Sequence, residues 1–151
     1  LVLVVGGGAV ARRRAETLLR CGARVRAVSP RFCDDFPEVA ERLQRTFAPE
    51  DLDGALLAVA ASSSRTTNRE ASRRARERGI PVSVADNAAE GDFFFPSLVA
   101  SGAAAASVSS AGLSCSLTRR LSDRLRAVWE GWVAEERATL QQEKGGTEGC
   151  D

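Results

Sequence analysis

The chain has no histidine, no tyrosine and no methionine, and Lys144 is its only lysine. Without histidine it lacks the side chain that most often moves protons near neutral pH and most often binds metals. Four cysteines stand at 21, 33, 115 and 150, and no two are spaced as CxxC. A zinc-type ligand set is therefore not expected, and no metal site is assigned. The thiols read as reduced and unpaired, as in a cytosolic protein. No apolar run approaches the length of a membrane span. The apolar residues 1–5, LVLVV, run straight into glycines, which predicts a buried strand rather than a signal peptide. With no initiator Met, the natural start is expected to lie elsewhere. Charge of one sign is also missing: 21 basic and 20 acidic residues leave +1. That balance gives no reason to expect a nucleic-acid or membrane partner.

What is present is a chain of 151 residues, 44% apolar, enough for one core and a small appendage. Strand and helix patterns alternate through its first half. Strands are predicted at 1–5, 23–30, 54–61 and 80–86, with a brief one at 45–48. Helices are predicted after the first glycines, with Gly22 as a stop, over 34–43, and from the serines at 62–64 to Gly79. This alternation predicts a Rossmann-like, doubly wound parallel α/β sheet. After Asp86 the pattern changes. Two apolar runs meet near Gly102 as an antiparallel pair, and one long helix follows, with Gly131 as a point where it could break. Leu117, Leu121, Leu125, Val128, Trp129, Trp132 and Val133 line one side of it. The expected organisation is a nucleotide-binding domain over 1–92, a dimerisation and substrate-side region over 93–142, and a disordered tail over 143–151.

Gly6-Gly7-Gly8-Ala9-Val10-Ala11 fits G-x-G-x-x-[G/A], directly after a strand and directly opening a helix. Gly6 suits the tight turn, Gly8 the close approach of a pyrophosphate, and Ala11 close packing of helix on sheet. The helix start offers free N–H groups to the phosphates. The carboxylate usual at the next strand end is absent: the sequence there is Ser29-Pro30-Arg31. Ser29 suits a ribose hydroxyl and Arg31 a 2′-phosphate, so spacing alone leaves NAD and NADP open. Ala61 and Ser62 end another strand and are expected beside the cofactor, while Ser62, Ser63 and Ser64 also suit helix capping. Asp86 ends the next strand and is the natural proton carrier in a chain without histidine, with Asp92 as its competitor. Arg12, Arg13 and Arg14 sit in a first helical turn, where positive charge opposes the dipole; that hints at an anionic partner. Arg119, Arg120 and Arg124 form a second cluster.

Four stretches, taken in order, resemble the precorrin-2 dehydrogenase and sirohydrochlorin ferrochelatase family, the N-terminal part of siroheme synthases. They are VVGGGAVARRRAETLLRCGARVRAVSP, LLAVAASSSRTTN, VSVADNAAEGDFFFPSLV and ASVSSAGLSCSLTRRLSDRL, spanning roughly residues 2–126. The resemblance implies NAD-dependent oxidation of precorrin-2 to sirohydrochlorin in siroheme or cobalamin biosynthesis, with iron insertion as a second activity in some members. A non-catalytic NAD-sensing module is the rival from another class. The resemblance further implies Asp86 as the catalytic acid–base group. Gly6, Gly7, Gly8, Ala9, Val10, Ala11, Ser29, Pro30, Ala61 and Ser62 are then cofactor contacts. Arg14, Ser110, Gly112, Ser114 and Arg119 are substrate contacts, and a cytoplasmic homodimer is built through Phe93–Val99 and the last helix. Ser83, Ala88, Gly91 and Cys115 depart from the family pattern.

Overall fold

The computed structural model describes residues 1–102 and 104–146. The chain divides into two compact units, Leu1–Phe95 and a second that starts at Pro96. In the first, a five-stranded parallel sheet is ordered β3-β2-β1-β4-β5. Its strands are β1 (Val2–Val5), β2 (Val25–Val28), β3 (Glu41–Leu43), β4 (Leu57–Ala60) and β5 (Val82–Val84). Helices α1 (Ala9–Arg20) and α2 (Arg65–Glu77) connect β1 to β2 and β4 to β5.

The unbroken apolar run of β1 follows from its place at the centre of this sheet. Val2 and Val4 face a cluster with Ala11, Ala15 and Leu18 of α1. Leu3 and Val5 face the opposite cluster, with Ala71 and Ala75 of α2. Both faces are covered, so both alternating sets must be apolar. Small alanines on the inner stripe of each helix let it lie close to the sheet. Polar residues buried at that interface are each satisfied: Asn68, fully buried, hydrogen-bonds Ser62, and Ser72 donates to the Glu90 carbonyl at 2.7 Å.

The segment 34–43 corrects the helix expected there. It is a turn at 34–35, an irregular run, and then β3. Pro37 would remove a helical N–H and clash with the preceding turn. Glu41 instead pairs in register with Arg26, whose Nε reaches its carboxylate at 2.5 Å. That pairing anchors the sheet edge. The brief strand expected at 45–48 is likewise absent. Arg45 binds Asp51 through both guanidinium nitrogens, and Asp51 also accepts from the Ala48 N–H at 2.8 Å. These bonds fix a 3-10 turn, Pro49–Leu52, in place of an extended pair.

In the second unit β6 (Ser97–Ser101) and β7 (Ala104–Val108) pair antiparallel, as expected from the two apolar runs. Helix α3 (Cys115–Gly146) packs on them. It runs through Gly131 without a break, and it takes in 143–146, which composition assigned to the tail. The rest of that expected tail, 147–151, lies outside the described residues, as does Cys150. Cys21, Cys33 and Cys115 are free thiols. No helix among the described residues is long and apolar enough to cross a membrane.

Candidate active site

Four strand ends meet along the carboxyl edge of the parallel sheet, stitched by three backbone bonds. Gly6 N–H donates to the Val28 carbonyl at 2.9 Å, Ala61 N–H to Val5 at 2.8 Å, and Ala85 N–H to Ala60 at 2.9 Å. The ends of β2, β1, β4 and β5 are thereby held side by side, where open α/β sheets take their ligands.

A cleft of about 810 Å³ opens at this edge, lined by the Gly6–Val10 turn, the segment after β2 and the serines after β4. The three glycines there are not equivalent. Gly6 has φ +132, and a Cβ on it would lie 2.7 Å from the Ala61 carbonyl carbon and 2.9 Å from the Ser62 nitrogen. Gly7 lies against the Arg31 carbonyl and Phe32 backbone, so a side chain there has no room either. Gly8 meets nothing within 4 Å, and its φ of −89 suits any residue. The fold therefore needs glycine at 6 and 7 for its own backbone, whereas at 8 the missing side chain leaves open space in the cleft. That space lies at the start of α1, where Gly8 provides no side-chain cap and the first turn holds no acid. The first N–H groups of a helix have no partner inside it, and they carry partial positive charge. This is the donor set a diphosphate requires, and a dinucleotide fits it.

Gly6, Gly7, Gly8, Ala9, Val10, Ser29, Pro30, Ala61 and Ser62 all line the cleft. Ala11 does not; it is fully buried against the sheet, where its small size brings the helix close. The Ser29 hydroxyl donates to the Arg31 carbonyl at 2.6 Å, so toward a ligand it can act only as an acceptor. Ser64 caps α2, accepting from the Thr67 N–H at 3.3 Å. Ser62 is clamped by Asn68, whose amide accepts from its N–H and donates to its carbonyl, both at 2.9 Å. Asn68 thus shapes the β4 side of the cleft, a role not read from the sequence. The signal was a fully buried asparagine inside a helix, a costly placement unless both amide ends are used. Phe32, Cys33, Thr46, Phe47 and Thr67 were also missed as lining residues. Thr67 sits in the first turn of α2, and the others come from irregular segments outside the helices and strands.

Asp86 follows β5 on the same edge, next to the β4 end, but does not itself line the cleft. Its carboxylate meets Arg65 of α2 at 3.5 Å and keeps 35% of its surface exposed. Arg65 is held in turn by Glu90. The hydrogen bond from Arg65 holds the Glu90 carboxyl below its ordinary value, against the opposing effect of desolvation. Asp92, the competing carboxylate, belongs elsewhere. It accepts from the Val82 N–H at 2.9 Å, at the amino end of β5, and pairs with Arg76 at 3.0 Å. It secures an edge strand and faces away from the ligand edge.

The arginines predicted to await an anion are partly engaged. Arg12 pairs with Asp35 and Glu16, and the Arg14 guanidinium lies 4.6 Å above the Phe95 ring. In the second unit, Ser110 and Ser114 build the turn into α3. The Ser110 hydroxyl donates to the Ser114 carbonyl at 2.9 Å and accepts from Thr118 at 2.8 Å. The Ser114 hydroxyl accepts from the Leu117 N–H at 3.2 Å. Ala111 and Gly112 between them have positive φ, 51 and 81. Arg119 stands exposed on the first turn of α3. No cluster of metal-binding side chains is found among the described residues.

Comparison with known proteins bears on this geometry. The chain is 40% identical over 132 residues to a siroheme synthase of Nitrosomonas eutropha, covering 83% of this chain and 28% of that protein. It is 38% identical to siroheme synthases of Photorhabdus laumondii and Pseudomonas aeruginosa, over 85% and 88% of this chain and 28% and 29% of theirs. It therefore spans less than a third of the length of these relatives. Its fold matches the solved structure of SirC, precorrin-2 dehydrogenase, with a TM-score of 0.72 at 24% identity, covering 88% of this chain and 70% of that one. A family model described as putative NAD(P)-binding matches residues 1–97, the whole of the sheet and its cleft, and the chain belongs to that family.

Proposed function

We propose that the protein is a precorrin-2 dehydrogenase, oxidising precorrin-2 to sirohydrochlorin with NAD+. The observation that carries this is the pairing, on one sheet edge, of an open glycine cradle with an accessible carboxylate in a chain that shares 38–40% identity with siroheme synthases. The bound dinucleotide supplies the hydride acceptor. The chain's own residues do the rest. The α1 N-terminus and Gly8 hold the diphosphate, and Ser29, Ala61 and Ser62 line the nucleotide. Asp86 takes the proton that leaves the substrate as the hydride departs, and Arg65 keeps that carboxylate in place. Arg14 is carried as a contact to a substrate rich in carboxylates. The test is incubation with precorrin-2 and NAD+. Sirohydrochlorin absorbance is expected to rise in step with NADH. Tight NAD+ binding without turnover would favour a nucleotide-sensing module instead.

The relatives are named for making siroheme, which favours iron insertion as a second activity. In that reading ferrous iron is a substrate and Asp86 the group that receives the displaced protons. An anaerobic assay on sirohydrochlorin separates the two.

We also propose that the active form is a cytoplasmic homodimer. In the second unit, Ala104, Trp129, Trp132, Val133 and Leu140, with Glu135, Glu136 and Arg137 beside them, line a mostly apolar groove of about 740 Å³. Trp132 is 53% exposed, and the Trp129 indole N–H finds no acceptor among the described residues. An exposed groove of this kind is the expected face of an association surface. Sedimentation equilibrium is expected to give twice the chain mass, and Trp132→Asp to give the monomer.

A further inference from the structure

We propose that Glu90 is a positioning residue for Asp86: it holds the Arg65 guanidinium to itself, so that Asp86 keeps one loose contact and remains a usable base. The inference rests on Asp86 being the acid–base group and adds the residue that governs its strength.

Arg65 opens α2, directly after the Ser64 cap and beside the serines of the cleft. A cation is unfavourable at a helix N-terminus, where the dipole is already positive. Two carboxylates from the segment after β5 offset that cost. Arg65 Nη2 binds the Glu90 carboxylate, and Nη1 lies 3.5 Å from the Asp86 Oδ1. The sharing is unequal. Glu90 takes the main hydrogen bond of the guanidinium, and Asp86 acts on it chiefly through charge. The Asp86 contact stands at the outer limit of a hydrogen bond, and Arg65 is its one side-chain partner among the described residues.

Glu90 is built to keep its share. It closes the 3-10 turn Ala88–Glu90, and its carbonyl is tied to the Ser72 hydroxyl of α2. The next residue, Gly91, packs on β5 so closely that a Cβ there would lie 3.1 Å from the Val84 nitrogen. The Glu90 side chain is half-buried, and its Oε2 is buried with no hydrogen-bond partner among the described residues. A carboxylate so placed stays charged only beside a cation, so it retains Arg65. The other charged groups facing Glu90 also lie on α2: Arg69 at 3.7 Å, and Arg76, which acts by charge alone. A carboxylate gripped by a bidentate guanidinium is held ionised and makes a weak base. Asp86 escapes that grip because Glu90 occupies it.

Carbon-13 NMR titration of the side-chain carboxyl groups of the whole chain tests this without substrate or cofactor, with Asp86→Asn assigning the Asp86 signal. In Glu90→Gln the guanidinium is free to turn to Asp86. The nearer cation and the lost anion both favour the charged form, so the Asp86 titration is expected to move to lower pH. With precorrin-2 and NAD+, the base limb of the pH–rate profile should move the same way. The plateau rate should fall, by less than the roughly 10²-fold expected of losing a base outright. NAD+ affinity should not change. Glu90→Asp, which keeps the charge, should stay nearer the parent. In an Arg65→Gln background the same Glu90→Gln change should shift Asp86 much less, because the effect passes through Arg65. Circular dichroism of each variant reports that the fold is kept. An Asp86 titration unmoved by Glu90→Gln, or moved equally with and without Arg65, overturns the inference and leaves the acid–base reading standing. A base limb that survives Asp86→Asn overturns the acid–base reading and the inference with it.

Discussion

Gly8→Ala is expected to fold normally and to lose its dinucleotide, whereas Gly6→Ala is expected to lose the fold. The two residues are two positions apart in one turn, and the contrast separates what the chain needs from what the ligand needs. At Gly6 a methyl group meets the backbone of Ala61 and Ser62, which belongs to the neighbouring strand end and cannot rotate away. The φ of +132 adds strain for any L side chain. Backbone strain and overpacking each cost roughly 1–3 kcal/mol. Together they remove a large part of the ~5–15 kcal/mol by which a domain of this kind is stable. At Gly8 the methyl group meets nothing, and the backbone is already extended. The change exchanges a fair N-cap residue for a poor one, so stability should move by no more than about 1 kcal/mol. The methyl group would stand where a diphosphate approaches the helix N–H groups. Losing one charge-assisted hydrogen bond weakens binding about 10- to 100-fold. Urea unfolding and calorimetric titration with NAD+ check the pair. A Gly8→Ala protein with parental affinity would place the diphosphate elsewhere, and a Gly6→Ala protein as stable as the parent would mean that the turn relaxes.

The sequence disclosed the frame because its signals were local. The run at 1–5 could be apolar throughout only if both faces were covered, and both are. The glycines following it had to be a turn into a helix. Ala11 could be assigned to packing by its position alone, and it is buried against the sheet. What stayed hidden depended on partners distant in sequence. The 34–43 segment has the composition of a helix, but β3 forms because Glu41 finds Arg26 fifteen positions earlier. The second glycine was read only as a cofactor contact; its close packing appears when the segment after β2 folds back and lays the Arg31 carbonyl on it. The arginine clusters looked like a waiting anion site. Once Asp35 is brought to Arg12 and Phe95 to Arg14, much of that charge is already engaged. Strand position alone could not rank Asp86 above Asp92, and only the family resemblance did; the hydrogen bond from the Val82 N–H ties Asp92 to the opposite edge of the sheet.

That separation sets the second large expectation. Asp86→Asn should lower the rate of precorrin-2 oxidation by about 10²- to 10⁴-fold, the usual contribution of a positioned acid–base group. The substitution keeps size and shape, and it loses only an ion pair at the surface, which is worth about 1 kcal/mol or less. Asp86 lies outside the lining of the cleft, so NAD+ affinity should stay near that of the parent. The loss should fall on turnover rather than on cofactor binding, and the limb of the pH–rate profile that reports a base should disappear. Asp92→Ala is the control. It removes the acceptor of the Val82 N–H and the partner of Arg76, so it should lower stability by ~1–3 kcal/mol while the folded fraction turns over normally. Stopped-flow absorbance for product, with NAD+ titration of both variants, distinguishes them. If Asp86→Asn turned over at the parental rate, with the neighbouring Glu90 carboxylate already bound to Arg65, the proton would have to leave directly to water. Hydride transfer would then rest on orientation by the cleft alone, and a chain without histidine would need no proton carrier of its own.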